Sequence, residues 1–396
     1  MFKKELVPIF IVVFVSLLGF SIILPLLPFY AKTFGMSPEL TGILVGSYSF
    51  AQFFAGPILG SYSDRVGRRP VLLFSQVLAM FGYVLLAFAP SAIFLFIARI
   101  IDGLGGGAVT IAQAYIADTT EPKERSGAMA VIGIAFGLGF MVGPLLGGLL
   151  AANVSNEAPA LFAAGLCGLS TLLTLTYLKE PRTHKASAVR SNARFASQLI
   201  TSFKRPRVGT LLGVFLFFSL PFSLFVSMFS LFAHTQFNYT AEEVSYFLAF
   251  VGFMGILWQG GAIRPMVKRF GELTSMRIAF VALVVGFIVT GASTETWHLI
   301  VAGIISSFGS GLIRPTLSSL ITQVVPEDQK GSILGISSSI ESATRAVAPV
   351  LGGYLIGGLH PNWLGYAAAI LTAIGTYLAF KVTFDSREIN GEMIVD

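Results

Sequence analysis

The sequence predicts an all-α membrane protein of twelve transmembrane helices in two pseudo-symmetric six-helix bundles, and three observations support this. Of the 396 residues, 54% are hydrophobic and only 12% are charged, about half the charged share of a soluble domain. Uncharged stretches long enough to cross a bilayer recur along the whole chain. Segments of the first half recur in the second half, which is typical of duplicated bundles.

Charges, prolines and turn residues divide the chain into twelve apolar pieces, each suited to a helix of about 20 residues that crosses the hydrocarbon. The first piece is too long for a signal-peptide core and lacks a small-residue cleavage pattern, so it is interpreted as a span. Helices are expected because lipid cannot satisfy free backbone groups. The predicted limits are 6–31, 40–62, 70–90, 92–117, 126–151, 159–178, 208–233, 243–263, 273–293, 297–324, 331–358 and 361–381.

Positive charge is distributed unequally between the two sides of these spans. With the N-terminus inside, 22 of the 26 Lys and Arg residues fall on the inner side, and the outer loops hold only Lys32. The other three, Arg99, Arg314 and Arg345, lie within spans. This positive-inside pattern predicts a multi-pass protein of the cytoplasmic membrane with both termini in the cytoplasm. The net charge of +6 then faces anionic lipid, so no nucleic-acid partner is expected.

The longest polar stretch, Lys179 to Arg207, follows the sixth span and predicts a cytoplasmic linker. The predicted domains are an N-terminal bundle, a linker and a C-terminal bundle, at 1–180, 181–207 and 208–396. Two segments recur at offsets of 204 and 205 residues: Ala117–Gly127 as Thr322–Gly331, and Gly143–Gly148 as Ala348–Gly353. A period of half the chain predicts two bundles that rock around a central site.

The loop between spans two and three reads Gly60-Ser61-Tyr62-Ser63-Asp64-Arg65-Val66-Gly67-Arg68-Arg69-Pro70. Arg68 can pair with Asp118 at the inner end of span four, and Asp64 can sit at the positive N-terminus of a helix from the other half. The order of these residues resembles the cytoplasmic signature of the major facilitator superfamily, and the resemblance covers nearly the whole chain. It implies a latch that closes the cytoplasmic side, formed by Gly60, Asp64, Arg65, Gly67, Arg68, Arg69 and Asp118. The second-half copy, Gly261 to Glu272, lacks the Asp-Arg pair, which puts a second latch in doubt.

Span five contains Gly139, Gly143, Pro144, Gly147 and Gly148. This spacing alone suits an ordinary glycine-packed helix face in lipid. The Gly-Pro…Gly-Gly order resembles the antiporter motif of the superfamily's drug-efflux members, which symporters generally lack. The resemblance implies efflux, in the branch of the tetracycline and multidrug exporters, whereas proton-driven uptake remains the mechanistic rival.

Two carboxylates lie deep within spans, Asp102 in span four and Glu341 in span eleven. Asp102 lies three residues after Arg99, and Arg345 lies four residues after Glu341. At these spacings the two members of each pair share a helix face. Buried ionisable groups in a membrane are costly and usually functional. Each acid is therefore a candidate proton carrier, and the alternative is a closed ion pair that only fixes the helix.

The resemblance adds a role for Arg99, which with Gly103 matches a family motif whose buried arginine is linked to proton transfer. Arg314 in span ten is either an anion contact or a partner for one of the acids. By family analogy, a central cavity is lined by spans one, four, seven and ten. The polar candidates for contact with the transported compound are Gln52, Gln113, Arg314 and Gln259.

The predicted function is secondary active transport: a monomer in the lipid bilayer exports small amphipathic compounds, such as tetracycline-like molecules, in exchange for protons by alternating access. No cofactor is expected beyond the proton gradient, no metal because the four His residues show no ligand spacing, and no ATP because there is no Walker motif. The alternative is transport of a metabolite, sugar or lipid-like solute. An enzyme is not expected, because clustered His, Cys or Asp residues with catalytic spacing are missing from the sequence.

Overall fold

The computed structural model describes residues 7–120, 125–180, 201–326 and 329–383. Every regular element that we describe within these ranges is a helix. In chain order the helices are α1 Val7–Ile23, α2 Leu27–Thr33, α3 Pro38–Val66, α4 Arg68–Ala87, α5 Ala92–Gly105, α6 Ala108–Thr119, α7 Arg125–Asn153, α8 Ala158–Tyr177, α9 Pro206–Phe237, α10 Ala241–Gly261, α11 Ile263–Gly291, α12 Thr296–Gln323, α13 Lys330–Gly358 and α14 Trp363–Lys381. The predicted linker lies outside the described residues as far as residue 200.

The predicted spans correspond to these helices, with three corrections. The first span is broken into α1 and α2, which meet at 44°, beside Pro25 and Pro28, residues that supply no backbone N–H. The fourth is broken into α5 and α6 at a turn of two glycines, Gly106 and Gly107. The ninth starts ten residues earlier than predicted, because α11 includes a basic helical segment before a kink at Gly271.

Ten spans of the described chain are long and apolar enough to cross a membrane, with α5 and α6 counted as one, and the bent pair α1–α2 makes an eleventh. Helix α13 is the predicted eleventh span in the chain and is 29 residues long. It falls short in apolarity because Glu341, Arg345 and several serines lie along it. The length of α13 therefore agrees with the prediction, whereas its composition requires partners for its polar side chains.

The helices pack as two bundles of six spans. In the first, α1 packs on α7 and α8, and α4 packs on α5 and α8; in the second, α11 packs on α12 and α14, and α9 packs on α13 and α14. The two bundles repeat each other in detail. Gly105 lets α5 lie against the carbonyl of Ser75, and Gly309, 204 residues later, lets α12 lie against the carbonyl of Ala279, also 204 residues later. This match of contacts confirms the pseudo-symmetry that the sequence predicts.

The ends of the bundles define two faces of the molecule. We call the end that carries Gly67 and Glu180 the linker face, and the opposite end, which carries Lys32 and Asn238, the distal face. The bundles meet along two seams, α3 with α13 and α7 with α10. At the distal face these seams are tight. A Cβ on Gly42 would collide with the carbonyl of Pro349, and one on Gly148 would collide with Ser245.

A polar contact also joins the bundles at the distal face. The Lys32 ammonium donates to Nε2 of His234 at 2.6 Å, and the Phe29 ring lies edge-on to the same imidazole. Lys32 is the residue that the charge distribution singles out as the positive group of the outer loops. It therefore fastens α2 of the first bundle to α9 of the second.

Toward the linker face, glycines of the same four seam helices have open space beside them. A Cβ built on each of several glycines there would meet no described atom within 4 Å; these are Gly60 on α3, Gly133 and Gly137 on α7, Gly260 and Gly261 on α10, and Gly331 and Gly335 on α13. Among the described residues, the seam glycines are thus packed against the other bundle at the distal face and open on the linker side.

Candidate functional site

Arg99 and Asp102 form an ion pair inside the first bundle. Arg99 Nη1 donates to Asp102 Oδ2 at 2.7 Å, and their side chains are 1% and 4% exposed. The guanidinium carbon lies 4.6 Å from the centre of the Tyr48 ring. Helix α4 comes close enough to shield the pair because it presents Gly82, where a Cβ would lie 2.9 Å from Asp102 Cβ. The pairing expected from their spacing is confirmed.

A second group of charges, which we call the α12–α13 cluster, consists of Arg314, Glu341 and Arg345. Glu341 accepts from Arg345 Nη2 at 2.5 Å and from Arg314 Nη2 at 2.8 and 2.9 Å. Of the two roles left open for Arg314, the structure shows that of partner for an acid. The formal charge of the cluster is +1, and the Arg314 side chain is 44% exposed, so one guanidinium retains capacity for a further anion.

Aromatic rings connect the two groups of charges. The Phe136 ring of α7 lies 5.1 and 5.4 Å from the guanidinium carbons of the α12–α13 cluster. Phe136 stacks on Phe140 at 4.6 Å, Phe140 lies 6.1 Å from Phe20, and Phe20 lies 4.8 Å from Tyr48, the ring beside Arg99. Phe136 was not among the predicted site residues, because an aromatic residue in a glycine-rich span carries no distinctive sequence signal.

The charged loop between α3 and α4 is held within its own bundle. Arg68 pairs with Asp64 at 2.5 Å and with Asp118 at 2.9 Å, which confirms the predicted Arg68–Asp118 pair. Gly67 has φ 106°, a conformation that side chains rarely adopt. Glu180 accepts from the backbone N–H groups of Arg68 and Arg69 at 2.6 and 2.9 Å and so caps α4. The contact of Asp64 with a helix of the other half stays a prediction.

The equivalent loop of the second bundle keeps the same geometry with altered charges. Gly271 also has positive φ, 76°, and lies 204 residues after Gly67. The next residue, Glu272, accepts from Gln323 Nε2 at 2.8 Å and from Ser319 Oγ at 2.9 Å. In the second bundle Glu272 thus occupies the position of Arg68, and its partner is the neutral amide of Gln323, where the first bundle has the carboxylate of Asp118. Sequence comparison alone recognised the degeneracy but not the conserved geometry.

The glycines of the antiporter-like motif serve as packing surfaces. Gly139, Gly143 and Gly147 face α1, where a Cβ on Gly147 would lie 2.6 Å from the carbonyl of Ile22. Ser21 Oγ donates to the Gly139 carbonyl at 2.7 Å. Gly148 faces α10 of the other bundle, and Pro144 lies inside the unbroken helix α7. The motif therefore fixes α7 between its own bundle and the distal seam.

The polar residues proposed to contact the transported compound differ in placement. Gln52 Nε2 donates to the Gly106 carbonyl at 2.8 Å and so stabilises the break between α5 and α6. Gln113 and Gln259 are exposed, on α6 and α10 respectively. Arg314 belongs to the α12–α13 cluster, which makes it the best placed of the four for a charged ligand.

Comparison with known proteins identifies the fold and the relatives of this chain. The family model described as Major Facilitator Superfamily matches residues 9–288 and 261–391. The class C tetracycline resistance protein of Escherichia coli is 30% identical over 363 residues, which cover 90% of each chain.

Solved structures agree with the family match. The human organic anion transporter MFSD10 (TETRAN) superimposes with a TM-score of 0.70 at 25% identity, over 96% of this chain and 100% of that chain. A bacterial homologue of the human lysosomal transporter Spinster superimposes with a TM-score of 0.78 at 14% identity, over 96% and 97% of the two chains. At that identity the likeness shows the fold alone.

The Arg99–Asp102 pair allows a test by a double-mutant cycle. Asp102→Leu leaves Arg99 as a buried cation without its partner, which should destabilise the protein by about 3–5 kcal/mol. The double variant Arg99→Met with Asp102→Leu should recover most of that loss, because no charge is left unpaired. Thermal unfolding of the purified protein in detergent measures both effects. A single variant that unfolds at the wild-type temperature would contradict the buried pair.

Proposed function

The chain belongs to the major facilitator superfamily, and we propose that it exports small amphipathic compounds, such as tetracycline-like molecules, in exchange for protons by alternating access. The observation that supports this most is the α12–α13 cluster, in which one carboxylate is shared by two arginines that also rest on Phe136 of the other bundle. A titratable group at a seam between the bundles is placed to link protonation with their relative position. The antiporter-like glycines of α7 support efflux.

In the proposed cycle, a proton binds to Glu341 or Asp102. Protonation of Glu341 raises the formal charge of the α12–α13 cluster from +1 to +2. The two guanidiniums then repel each other across Phe136, and their arrangement on α7 loses stability. Protonation of Asp102 would likewise leave Arg99 without an ionised partner. Either event favours a different arrangement of the bundles.

The closed distal face and separated linker face correspond to one end state of this cycle. In the opposite state, the open glycines of the linker-side seams would approach one another. Asp64 would then leave Arg68 for the N-terminal end of α13, where the helix dipole favours an anion. We assign the linker face to the cytoplasm and both termini to that side of the cytoplasmic membrane, on the distribution of Lys and Arg. Residues 1–180 and 208–396 would be the moving bodies of a monomer, joined by the linker 181–207.

A second candidate is proton-coupled transport of an organic anion. The net positive charge of the α12–α13 cluster and the exposure of Arg314 favour it, as does the likeness to the human organic anion transporter MFSD10. The two candidates differ in how proton binding is coupled to binding of the transported compound. Protonation of Glu341 frees its arginines for an anion, so an anion and a proton would bind together. Antiport instead requires that binding of the proton and binding of the exported compound exclude each other.

Proton movement on binding should therefore distinguish the two functions. With purified protein in weakly buffered detergent solution, tetracycline should release protons if the exporter proposal holds. An aromatic carboxylate should cause proton uptake if the anion proposal holds, and Arg314→Gln should then weaken its binding at least tenfold. A pH-indicator dye and binding calorimetry measure the two effects. If neither compound moves protons, both proposals fail.

The coupling residues are tested in proteoliposomes with an imposed proton gradient. Glu341→Gln should abolish gradient-driven transport while binding of the compound persists, because glutamine keeps hydrogen bonds to the arginines but carries no titratable proton. Asp102→Asn tests the other acid in the same way. Glu242→Gln, a partly exposed acid at the distal end of α10, is the matched control and should transport normally. Unchanged gradient-driven transport in both core variants would contradict a role for these acids.

The distal seam provides a test of alternating access. Gly42→Val places a side chain where the Pro349 carbonyl lies and should hold the distal face open. Distances between spin labels on α2 and α9 should lengthen, and transport should fall at least tenfold. Gly165→Val, at an α8 glycine with no described atom near its Cβ position, is the control. Unaltered distances in Gly42→Val would show that distal closure is not part of the cycle.

A further inference from the structure

The core of the first bundle contains a small polar cavity beside Asp102. Helices α1, α3, α4, α5 and α8 surround it, and the volume available to the centre of a water-sized sphere is about 20 Å³. Ser75, Gln76, Tyr83, Asp102 and Cys167 are among its lining residues. All five are buried, so the cavity lies inside the bundle.

Two polar atoms in the cavity wall are without partners. Ser75 Oγ and Gln76 Oε1 are fully buried and make no hydrogen bond to any described residue. Buried polar groups of this kind nearly always have a partner. By contrast, the amide nitrogen of Gln76 donates to Ser170 Oγ at 2.9 Å and to Thr174 Oγ1 at 3.1 Å, which fixes the direction of the free oxygen.

The equivalent place in the second bundle keeps one polar group, Ser306 at the position of Asp102, among hydrophobic residues. Gly82 approaches Asp102 as Gly286 approaches Ser306, and both second-bundle residues lie 204 positions later. At the same offset, Ser75, Gln76, Ala79 and Tyr83 correspond in order to Ala279, Phe280, Leu283 and Phe287. These four are fully buried hydrophobic residues. The polar cavity is therefore a property of the first bundle, not a necessity of the fold.

We propose that this cavity is a hydration site, in which one water molecule bound by Asp102, Ser75 and Gln76 gives the Asp102 carboxyl a route for proton exchange within the first bundle. A cavity of roughly 10–15 Å³ by this measure can hold one water, which needs two to four polar partners. The site meets both conditions. The proposal rests on the proposed function for the role of Asp102 as a proton carrier, but the water site itself can be tested without transport.

The polar groups around Asp102 restrict the direction of exchange. Arg99 occupies one carboxylate oxygen from the same helix; Tyr48 of α3, Tyr83 of α4 and Cys167 of α8 are the titratable groups that face it from the other helices. None of these four groups is negatively charged at neutral pH, so no negative charge besides that of Asp102 lies among them. The polar contacts continue from Gln76 to Thr174, whose carbonyl accepts from Arg69 at 3.4 Å. The polar contacts of the cavity wall therefore extend along α4 and α8 toward the linker face.

Cys167 provides a direct probe, because it is the single cysteine of the chain and lines the cavity. The infrared S–H stretching band of the purified protein therefore reports on this site alone. On transfer to D2O, we expect the band to convert to S–D in the wild type. Ser75→Val, which fills the cavity and removes a water ligand, should slow the conversion at least tenfold.

Ser230→Val is the matched control, since Ser230 is an equally buried serine of the second bundle without a described partner, and its exchange should equal that of the wild type. If Ser75→Val does not fold, Ala79→Val occludes the same cavity without removing a polar group and should give the same slowing. Wild-type exchange in a folded cavity-filling variant overturns the hydration site. If exchange slows but Asp102→Asn still transports normally, the water site stands and the coupling role of Asp102 fails.

Discussion

An ionised side chain within a membrane-spanning helix needs a partner of opposite charge, and this constraint organises the interior of the molecule. Arg99 and Asp102 satisfy it within one helix, as a buried pair at 2.7 Å. Glu341 satisfies it across two helices, with Arg345 on its own helix and Arg314 on the preceding one. Ion pairs in a low dielectric are strong, and removal of one partner is costly. The Arg99–Asp102 pair and the α12–α13 cluster can therefore each act either as a rigid support or as a switch between conformations. In the proposed cycle, protonation would decide between these two states.

The glycines determine how such pairs can be linked to movement. At the distal face they allow backbones to touch, as between Gly42 and Pro349, and on the linker side the corresponding helix surfaces stand apart. Where glycines pack, backbone lies directly on backbone, with no flexible side chain between the helices. Because such close-packed contacts are hardly compressible, the seam is expected either to close fully or to open. The rings from Phe136 to Tyr48 then provide a continuous contact from the α12–α13 cluster to the Arg99–Asp102 pair.

Features that depend on spacing along one helix were predictable from the sequence. The pairs Arg99–Asp102 and Glu341–Arg345 follow from helical periodicity, and the Arg68–Asp118 pair follows from adjacent loop ends. Features that depend on which helices face each other could not be predicted from the sequence. Sequence alone left Arg314 between two roles and gave no signal for Phe136. The breaks after α1 and α5 were missed because hydropathy runs through both without interruption.

The low apolarity of α13 has a consequence for biosynthesis. A charged residue at the centre of an inserting helix costs roughly 2.5–3.5 kcal/mol, and α13 carries both Glu341 and Arg345. Its third charged partner, Arg314, arrives earlier on α12. If Arg314, Glu341 and Arg345 pair before α12 and α13 leave the insertion machinery, two helices with an unfavourable free energy of insertion can enter the bilayer as one hairpin whose charges are paired. The ribosome would then deliver α12 and α13 to the bilayer as a unit, so the same ion pairs that serve the mature protein would first serve its assembly.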